Sequence, residues 1–298
     1  MNEPNVMLRE PSSSKFRYEG YRAVVRFCEP VAADSIFALC DEIDLAIDYY
    51  FYRQITVEIN SPGGEAAALH YYIQKLQGWR QAKVSIETVA LTQCYSAAAL
   101  MLSLGDLGRR FAMPRASLLY HNARMFVSGQ QPLTSKFLEK TCSHLSLTDA
   151  EMLVILLRHL YGQLEPSCFD TLEEIVCALP NHTRQVGGKH LEQLGLPGLD
   201  KRLSALATGS QESRQYRRSE LQRLLTGRLA RCGKGLVKLT EPSELLSFLE
   251  AYPPERRHEL TVAWLWGRFL HYQTILDRDE SIHPPEAIKE GLIDEVLE

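Results

Sequence analysis

The sequence lacks a long apolar run, a marked excess of charge of one sign and any paired cysteines. Its longest apolar runs, such as residues 97–102, are too short to cross a bilayer, so we expect no membrane partner. The formal net charge of −4 gives no reason to expect nucleic acid as a partner. The seven cysteines are scattered without a C-x-x-C motif, which favours reduced thiols in a cytoplasmic protein over disulfides or a zinc site. The polar stretch MNEPNVMLREPSSSKF predicts no signal peptide.

Motifs for phosphate and metal binding are missing as well. No G-x-x-x-x-G-K-[ST] loop occurs, so we expect no ATP-driven activity in this chain. His182 and His190 do not stand in metal-ligand spacing with a cysteine pair, and we predict no cofactor and no metal. The basic stretch 214–234 interleaves arginine with leucine, which is typical of a helix with a solvated basic face. Docking of an acidic partner or a nucleic acid by this stretch is the alternative.

The first half of the chain alternates between strand and helix patterns. Apolar, β-branched runs predict strands over residues 21–27, 54–60, 83–90 and 117–120. Helical spacing of apolar residues predicts helices over residues 32–50, 66–79, 96–104 and 135–161. This alternation favours an α/β fold with a largely parallel sheet.

The composition changes along the chain and predicts four segments. We expect a flexible arm over residues 1–19, a core over 20–163, an inserted and mainly helical module over 164–268, and a return of the core over 269–298. The module carries no strand–turn–helix pattern like that of the first half. Insertions of this kind are thermodynamically tolerated where their ends lie close together.

Two stretches carry residues suited to acyl transfer. The predicted strand at 54–60 runs into Ser-Pro-Gly-Gly at 61–64, and Ser96 stands among small residues at the start of a predicted helix. A serine nucleophile needs a base to take its proton and N–H donors for the developing oxyanion. The backbone N–H groups of Gly64 and Ala97 are the candidate donors. Taken alone, Ser96 also fits a plain helix N-cap.

Two further residues are candidates for the base and the acid. His121 follows the strand SLLY, and Asp279 stands in DRDE ahead of a Pro-Pro-Glu helix start. A histidine base oriented by a carboxylate is what such a nucleophile requires. By themselves, His121 fits a structural or surface histidine and Asp279 a solvated helix-cap charge.

Taken together, these motifs resemble the Clp protease proteolytic subunit (ClpP) family. The matching segments are ITVEINSPGG, TQCYSAAALMLSLGDLGRRFAMPRASLLYHN and LDRDESIHPPEAIKEGLIDEVL. The resemblance implies Ser96 as the nucleophile, His121 as the general base and Asp279 as the orienting acid, with Gly64 and Ala97 forming the oxyanion hole. Asp170, which stands at the family's interval after His121, is the alternative acid.

The resemblance also implies a fold and an assembly. The fold is the crotonase-like ββα superhelix, here with the inserted helical module, and the helix at 135–161 corresponds to the family's handle. The implied activity is that of a serine endopeptidase that hydrolyses polypeptides through an acyl-enzyme. The implied partners are further copies of the chain in a homo-oligomeric ring and an AAA+ unfoldase ATPase.

Two other functions stay open on the sequence alone. Tyr95 beside the serine and the module at 164–268 motivate a catalytically weak or inactive ClpP-like subunit with a structural or regulatory role. An acyl-CoA enzyme of the crotonase fold is the third hypothesis, because it shares the oxyanion geometry.

Overall fold

The computed structural model describes residues 16–125, 134–177, 194, 211–236 and 238–298. The chain divides into two compact units. The first unit contains the described residues up to Tyr120 together with Glu280–Glu298, and the second contains those of His121–Asp279. No helix in the described ranges is both long enough and apolar enough to span a bilayer.

The first unit is built on a single mostly parallel sheet. Its strands pair in the order β1-β2-β3-β4-β5-β8, and β6 pairs with β4 on one side and β7 on the other. The strands are β1 (Phe16–Glu19), β2 (Arg22–Phe27), β3 (Gln54–Ser61), β4 (Ser85–Tyr95), β5 (Arg110–Ala112), β6 (Ser117–Leu119), β7 (Ser281–Ile282) and β8 (Glu295–Val296). The pairs β1–β2 and β6–β7 are antiparallel, and the others are parallel.

Helices pack on this sheet, and its central strand β3 is buried on both faces. The helices of the first unit are α1 (Ala33–Asp48), α2 (Ala66–Gln81), α3 (Ala97–Ser103) and, near the end of the chain, α9 (Pro284–Lys289). Along β3, Ile55, Val57 and Ile59 are almost fully buried, and the intervening Thr56 and Glu58 are buried too. Burial of both strand faces is expected of a parallel sheet inside an α/β unit.

The predicted α/β fold with a largely parallel sheet is confirmed, and five strands differ from expectation. β4 continues to Tyr95 past a register shift against β3, so the strand leads straight into Ser96. Residues 16–19, expected in a flexible arm, form β1 and pair with β2 through a turn in which Gly20 has φ +62°. The short strands β5, β7 and β8 were not predicted, because their two or three residues are strand only through pairing with neighbouring strands. Residues 1–15 of the expected arm lie outside the described residues.

The described residues of the second unit form helices joined by loops and turns, without a strand. Its main helices are α4 (Ser135–Leu160), α5 (Pro166–Cys177), α6 (Gln211–Gly233), α7 (Pro242–Leu249) and α8 (Pro254–Arg278). The rings of Tyr161 and Trp264 meet edge to face with centroids 4.9 Å apart, and Arg268 donates to the Tyr161 hydroxyl at 2.9 Å. The helix predicted at 135–161 is present as α4, and it belongs to this unit.

Candidate active site

The Ser-Pro-Gly-Gly turn closes β3 in a conformation that only glycine adopts without strain. Gly63 has φ +85° and Gly64 has φ +155°. Val31 N–H donates to the Gly63 carbonyl at 2.8 Å, and Glu65 N–H donates to the Val31 carbonyl at 2.7 Å. In a parallel bridge of this kind, the central residue's own N–H points away from its partner. The Gly64 N–H is therefore turned away from Val31, as a donor to a ligand must be.

The turn packs directly against the backbone around Ser96. A Cβ atom on Gly63 would lie 2.3 Å from the Tyr95 carbonyl oxygen and 2.6 Å from Ser96 Cβ. A Cβ atom on Gly64 would lie 2.1 Å from the Val31 carbonyl oxygen. A side chain on Gly63 would push the turn away from Ser96, and one on Gly64 would push it away from Val31. Gly63 is therefore the residue that allows the turn and Ser96 to approach each other.

Ser96 lies at the junction of β4 and α3 in a rare backbone conformation. Its dihedral angles are φ 57° and ψ −127°, a combination found at the first central residue of type II′ turns, where glycine is usual. Its N–H donates to the Leu119 carbonyl at 2.7 Å, and its carbonyl accepts from Leu100 N–H at 3.2 Å. The side chain makes no capping hydrogen bond to the helix. Ser96 therefore does not act as a plain N-cap, and its partly exposed hydroxyl stands at a sharp strand-to-helix turn.

The first turn of α3 supplies the second candidate oxyanion donor. Ala97 begins the helix with its methyl group buried, and its N–H is one of the amides that a helix start leaves without an intrahelical partner. Across the described ranges, neither this N–H nor that of Gly64 is occupied by another backbone group. Both groups are available to stabilise negative charge.

Tyr95, the bulky residue before the serine, is held by the sheet. Its hydroxyl donates to Ser117 Oγ at 3.1 Å, and Tyr95 stands opposite Leu119 in the β4–β6 register. The ring is thus fixed along β6, which removes the freedom to swing across Ser96.

In the second unit, a short loop carries His121 and is tied to two helices. His121 Nδ1 lies 2.6 Å from the Asn122 carbonyl oxygen. Asn122 Nδ2 donates to Asp277 Oδ1 at 2.6 Å, and Ala123 N–H donates to Asp149 Oδ1 at 2.5 Å. A carbonyl oxygen only accepts, so Nδ1 carries the proton and a neutral ring leaves Nε2 with its lone pair. That tautomer is the one a general base needs.

The two candidate acids each have an arginine partner. Asp279, in the left-handed conformation at the C-cap of α8, forms an ion pair with Arg124, and both side chains are about half exposed. Asp170 on α5 lies 2.8 Å from Arg158 Nη2 of α4. Both carboxylates therefore have an arginine to neutralise them.

Asp149 was not singled out by the sequence analysis. Burial on α4 raises the pKa of Asp149, while the Ala123 N–H and the nearby His121 act to lower it and Asp277 acts to raise it. In the sequence it is one acidic residue in the segment SLTDAEM of a long predicted helix. The only feature that distinguishes it is its position directly before the buried residues of α4 that begin at Ala150. The loop contact depends on tertiary structure, which helix periodicity does not reveal.

Comparison with known proteins identifies the first part of the chain. Residues 26–159 match the family model described as Clp protease. The chain is similar to the ATP-dependent Clp protease proteolytic subunit 2 of Mycobacterium bovis, with 36% identity over 100 residues, which are 34% of this chain and 41% of that relative. It is also similar to the subunit of the same name from Streptomyces coelicolor, with 42% identity over 69 residues, 23% of this chain and 30% of the relative.

A third relative gives the same result over a similar stretch. The ATP-dependent Clp protease proteolytic subunit 1 of Tropheryma whipplei is 42% identical over 77 residues, 26% of this chain and 36% of the relative. The chain thus spans less than half the length of these relatives. The matched domain agrees with the mixed α/β fold and parallel sheet of the first unit, and further helices lie beyond it. Residues 26–159 therefore form a domain of the Clp protease family.

Proposed function

We propose that the chain is a serine endopeptidase subunit of the Clp protease type, with Ser96 as nucleophile, His121 as general base and Asp279 as orienting acid. The observation that carries the proposal is the backbone of Ser96, held at φ 57° against the Gly63 turn with its hydroxyl uncommitted to helix capping. Strain of this kind is concentrated at functional sites. The family assignment makes peptide hydrolysis the matching chemistry.

The proposed reaction proceeds through an acyl-enzyme. Ser96 Oγ bonds to the scissile carbonyl carbon, and its proton passes to His121 Nε2. The oxyanion accepts hydrogen bonds from the N–H groups of Gly64 and Ala97. The C–N bond then breaks, and the leaving amine takes the proton from His121. A water molecule, deprotonated in turn by His121, hydrolyses the ester and restores the Ser96 hydroxyl.

The proposed substrate is a polypeptide bound as an extended strand, since main-chain hydrogen bonds give affinity without demanding one sequence. The proposed setting is cytoplasmic, with no cofactor. The proposed partners are further copies of the chain in a homo-oligomeric ring and an AAA+ unfoldase ATPase. These proposals rest on the family assignment.

A fluorophosphonate serine probe tests the activity. We expect the full chain to be labelled at Ser96, labelling to be lost in Ser96→Ala, and labelling to be strongly reduced in His121→Ala. Ser247→Ala, at an exposed position on α7, is the matched control and keeps full labelling. Turnover of a fluorogenic peptide should follow the same order. Labelling that persists in Ser96→Ala would refute the assignment of the nucleophile.

The acid is tested by comparing three amide variants. Asp279→Asn should reduce peptide turnover by orders of magnitude, as loss of a triad acid does. Asp170→Asn should leave turnover near that of the parent if Asp170 serves only Arg158. Asp149→Asn is the control for the loss of another negative charge near His121, because it keeps an acceptor oxygen for Ala123 N–H and leaves Asp279 in place. A larger loss in Asp170→Asn than in Asp279→Asn would reverse the assignment.

A catalytically weak or inactive subunit is the second candidate. It is favoured by the Arg124–Asp279 ion pair and by His121 Nδ1 contacting a backbone carbonyl, since both groups are then engaged by partners outside a triad. Folded, assembled protein that resists the probe would establish this role. In that case, Arg124→Ala tests whether the ion pair itself withholds Asp279, because labelling should then appear.

A further inference from the structure

The helical unit brings a thiol, an imidazole and a carboxylate together at the start of α5. Glu165 directly precedes this helix, and Cys168 lies in its first turn with its N–H donating to the Glu165 carbonyl at 3.0 Å. His258 comes from the beginning of α8. One carboxylate oxygen, the Cys168 sulfur and one ring nitrogen of His258 all lie within 4.8 Å of one another. The peptidase proposal uses none of these residues.

The hydrogen bonds of Thr171 indicate the tautomer of His258, in which the nitrogen that faces the sulfur carries a lone pair. Thr171 Oγ1 donates its single proton to the Ser167 carbonyl at 2.9 Å. The same oxygen lies 3.1 Å from His258 Nε2, so Nε2–H must be the donor of that bond. In the neutral ring, Nδ1 is then unprotonated, and it lies 3.4 Å from Cys168 Sγ. Metal-bound histidines are typically oriented by such a bond from their other nitrogen.

The spacing of these atoms fits one cation between them. With Zn–S and Zn–N bonds of about 2.3 and 2.1 Å, tetrahedral zinc separates its sulfur and nitrogen ligands by about 3.6 Å. The observed separation of Cys168 Sγ and His258 Nδ1 is 3.4 Å. The side chains of Cys168 and His258 are buried, whereas Glu165 is exposed. The carboxylate therefore provides an entry path from solvent to the buried ligands.

We propose that Cys168 Sγ, His258 Nδ1 and the Glu165 carboxylate bind a Zn²⁺ ion, with water as the fourth ligand. Mixed sulfur, nitrogen and oxygen donors in this number suit zinc rather than magnesium or calcium. On binding, the Cys168 thiol gives up its proton to solvent and the thiolate bonds to the metal. The ion joins the start of α5 to the start of α8, which are far apart in the chain.

Without metal, Cys168 is a protonated thiol. Burial raises the pKa of Cys168 to about 12, and the charges of Glu165 and Asp170 act in the same direction while hydrogen bonds from Ser167 and Thr261 oppose them. With His258 Nδ1 unprotonated, the thiol is the donor in the 3.4 Å contact between them. The sulfur and the ring nitrogen already face each other without metal, so the site is preorganised.

Metal binding to the full chain tests the proposal after any histidine tag has been removed. Protein stripped with a chelator is dialysed against Zn²⁺ and bound zinc is counted by mass spectrometry, and Co²⁺ is added separately to follow its spectrum. We expect one zinc per chain, a higher Tm with zinc, and a sulfur-to-cobalt charge-transfer band. Cys168→Ser should remove the band and weaken zinc binding by more than about a hundredfold, beyond the loss typical for a group that merely supports a ligand. Cys142→Ser, an exposed thiol on α4, is the control and keeps both.

Glu165→Gln keeps the test decisive if Cys168→Ser fails to fold. Glu165 is exposed, so this change leaves the helical core intact while removing one ligand. Its zinc affinity should fall at least tenfold with an unchanged Tm in the absence of metal. The proposal is wrong if the chain retains no zinc, or if Glu165→Gln and Cys168→Ser both bind it as the parent does. Fluorophosphonate labelling at Ser96 is read separately, so failure of either proposal leaves the other standing.

Discussion

At the scale of the residue, Ser96 combines a polar side chain with a backbone conformation usual for glycine. A non-glycine residue held at such angles costs about 1–3 kcal/mol. The hydrogen bonds to Leu119 and Leu100 and the close packing of Gly63 hold it there. The backbone strain therefore falls on the residue that we propose as the nucleophile.

Replacing Ser96 by glycine and by alanine separates strain from chemistry. We expect Ser96→Gly to be more stable to urea than Ser96→Ala by about 1 kcal/mol, because only glycine relieves the strain. Both variants should lose labelling by the fluorophosphonate probe. Equal stability of the two variants would show that the turn imposes no strain.

The contact between Gly63 and Ser96 gives a second test. Gly63→Ala places a methyl group against the Tyr95 carbonyl and Ser96 Cβ, and we expect a loss of about 1–3 kcal/mol in unfolding free energy together with reduced probe labelling. Gly78→Ala on α2 is the matched control, because a Cβ there meets nothing within 4 Å. It should raise stability by up to about 1 kcal/mol through helix propensity. Similar losses in both variants would contradict the packing argument.

Asp149 supports the loop that carries His121. Asp149→Ala removes the acceptor for Ala123 N–H, and an N–H that loses its partner in a partly buried site costs about 1–3 kcal/mol. We expect faster hydrogen exchange at the Ala123 amide, measured by NMR. Asp149→Asn keeps an acceptor oxygen and should exchange more slowly than Asp149→Ala. Unchanged exchange in both would mean that other contacts hold the loop.

At the scale of the element, the short strand β5 is joined by a partly buried ion pair to Asp294, the residue that precedes β8. Arg110, only 4% exposed at its side chain, binds both carboxylate oxygens of Asp294 and also donates to the Gly291 carbonyl at 2.9 Å. Burial acts to raise the pKa of Asp294, but the hydrogen bonds and charge of Arg110 outweigh it and hold that pKa below its usual range.

Because of this ion pair, part of the free energy of unfolding is lost when the pH is lowered. Because the pKa of Asp294 is lowered by folding, its contribution is complete above the unfolded value of about 3.9 and is lost as pH falls through the folded value. Asp294→Asn should cost about 3 kcal/mol at neutral pH and flatten the fall in urea stability on acidification. Asp41→Asn, at an exposed position on α1, should change stability by less than about 0.5 kcal/mol. If the urea stability of Asp294→Asn falls as steeply on acidification as that of the parent, Asp294 is not the cause of the fall.

The elements also show what the sequence could predict. β3 and α4 were predictable because their own residues carry strand and helix patterns. The turn at Gly63–Gly64 was predictable from its Ser-Pro-Gly-Gly sequence, and Ser96 from its position among small residues at a helix start. β1 and β5 are short, and pairing with neighbouring strands makes them strands. The Arg124–Asp279 and Ala123–Asp149 contacts join positions distant in sequence, which one sequence without aligned relatives does not reveal.

At the scale of the whole molecule, the match to the Clp protease family model motivates the proposed assembly. The first unit exposes several large apolar side chains, which are Tyr21, Phe37, Tyr49 and Phe51. Large exposed apolar surface on a folded unit is typical of sites that other proteins cover. We expect light scattering on the purified chain to give a mass several times 33.8 kDa. A monomer at micromolar concentration would contradict the proposed ring.

The position of β7 and β8 near the end of the chain has a consequence for folding during translation. Arg110 and Asp294 are 184 positions apart, so the ribosome must translate the whole helical unit before the last strands of the first sheet exist. Until then, β5 and β6 each lack one neighbour, and unpaired strand edges invite wrong pairing. The nascent chain therefore carries an unfinished sheet while the helical unit emerges. Slow translation of residues 121–279 prolongs this exposure and increases the need for chaperones that shield open strand edges.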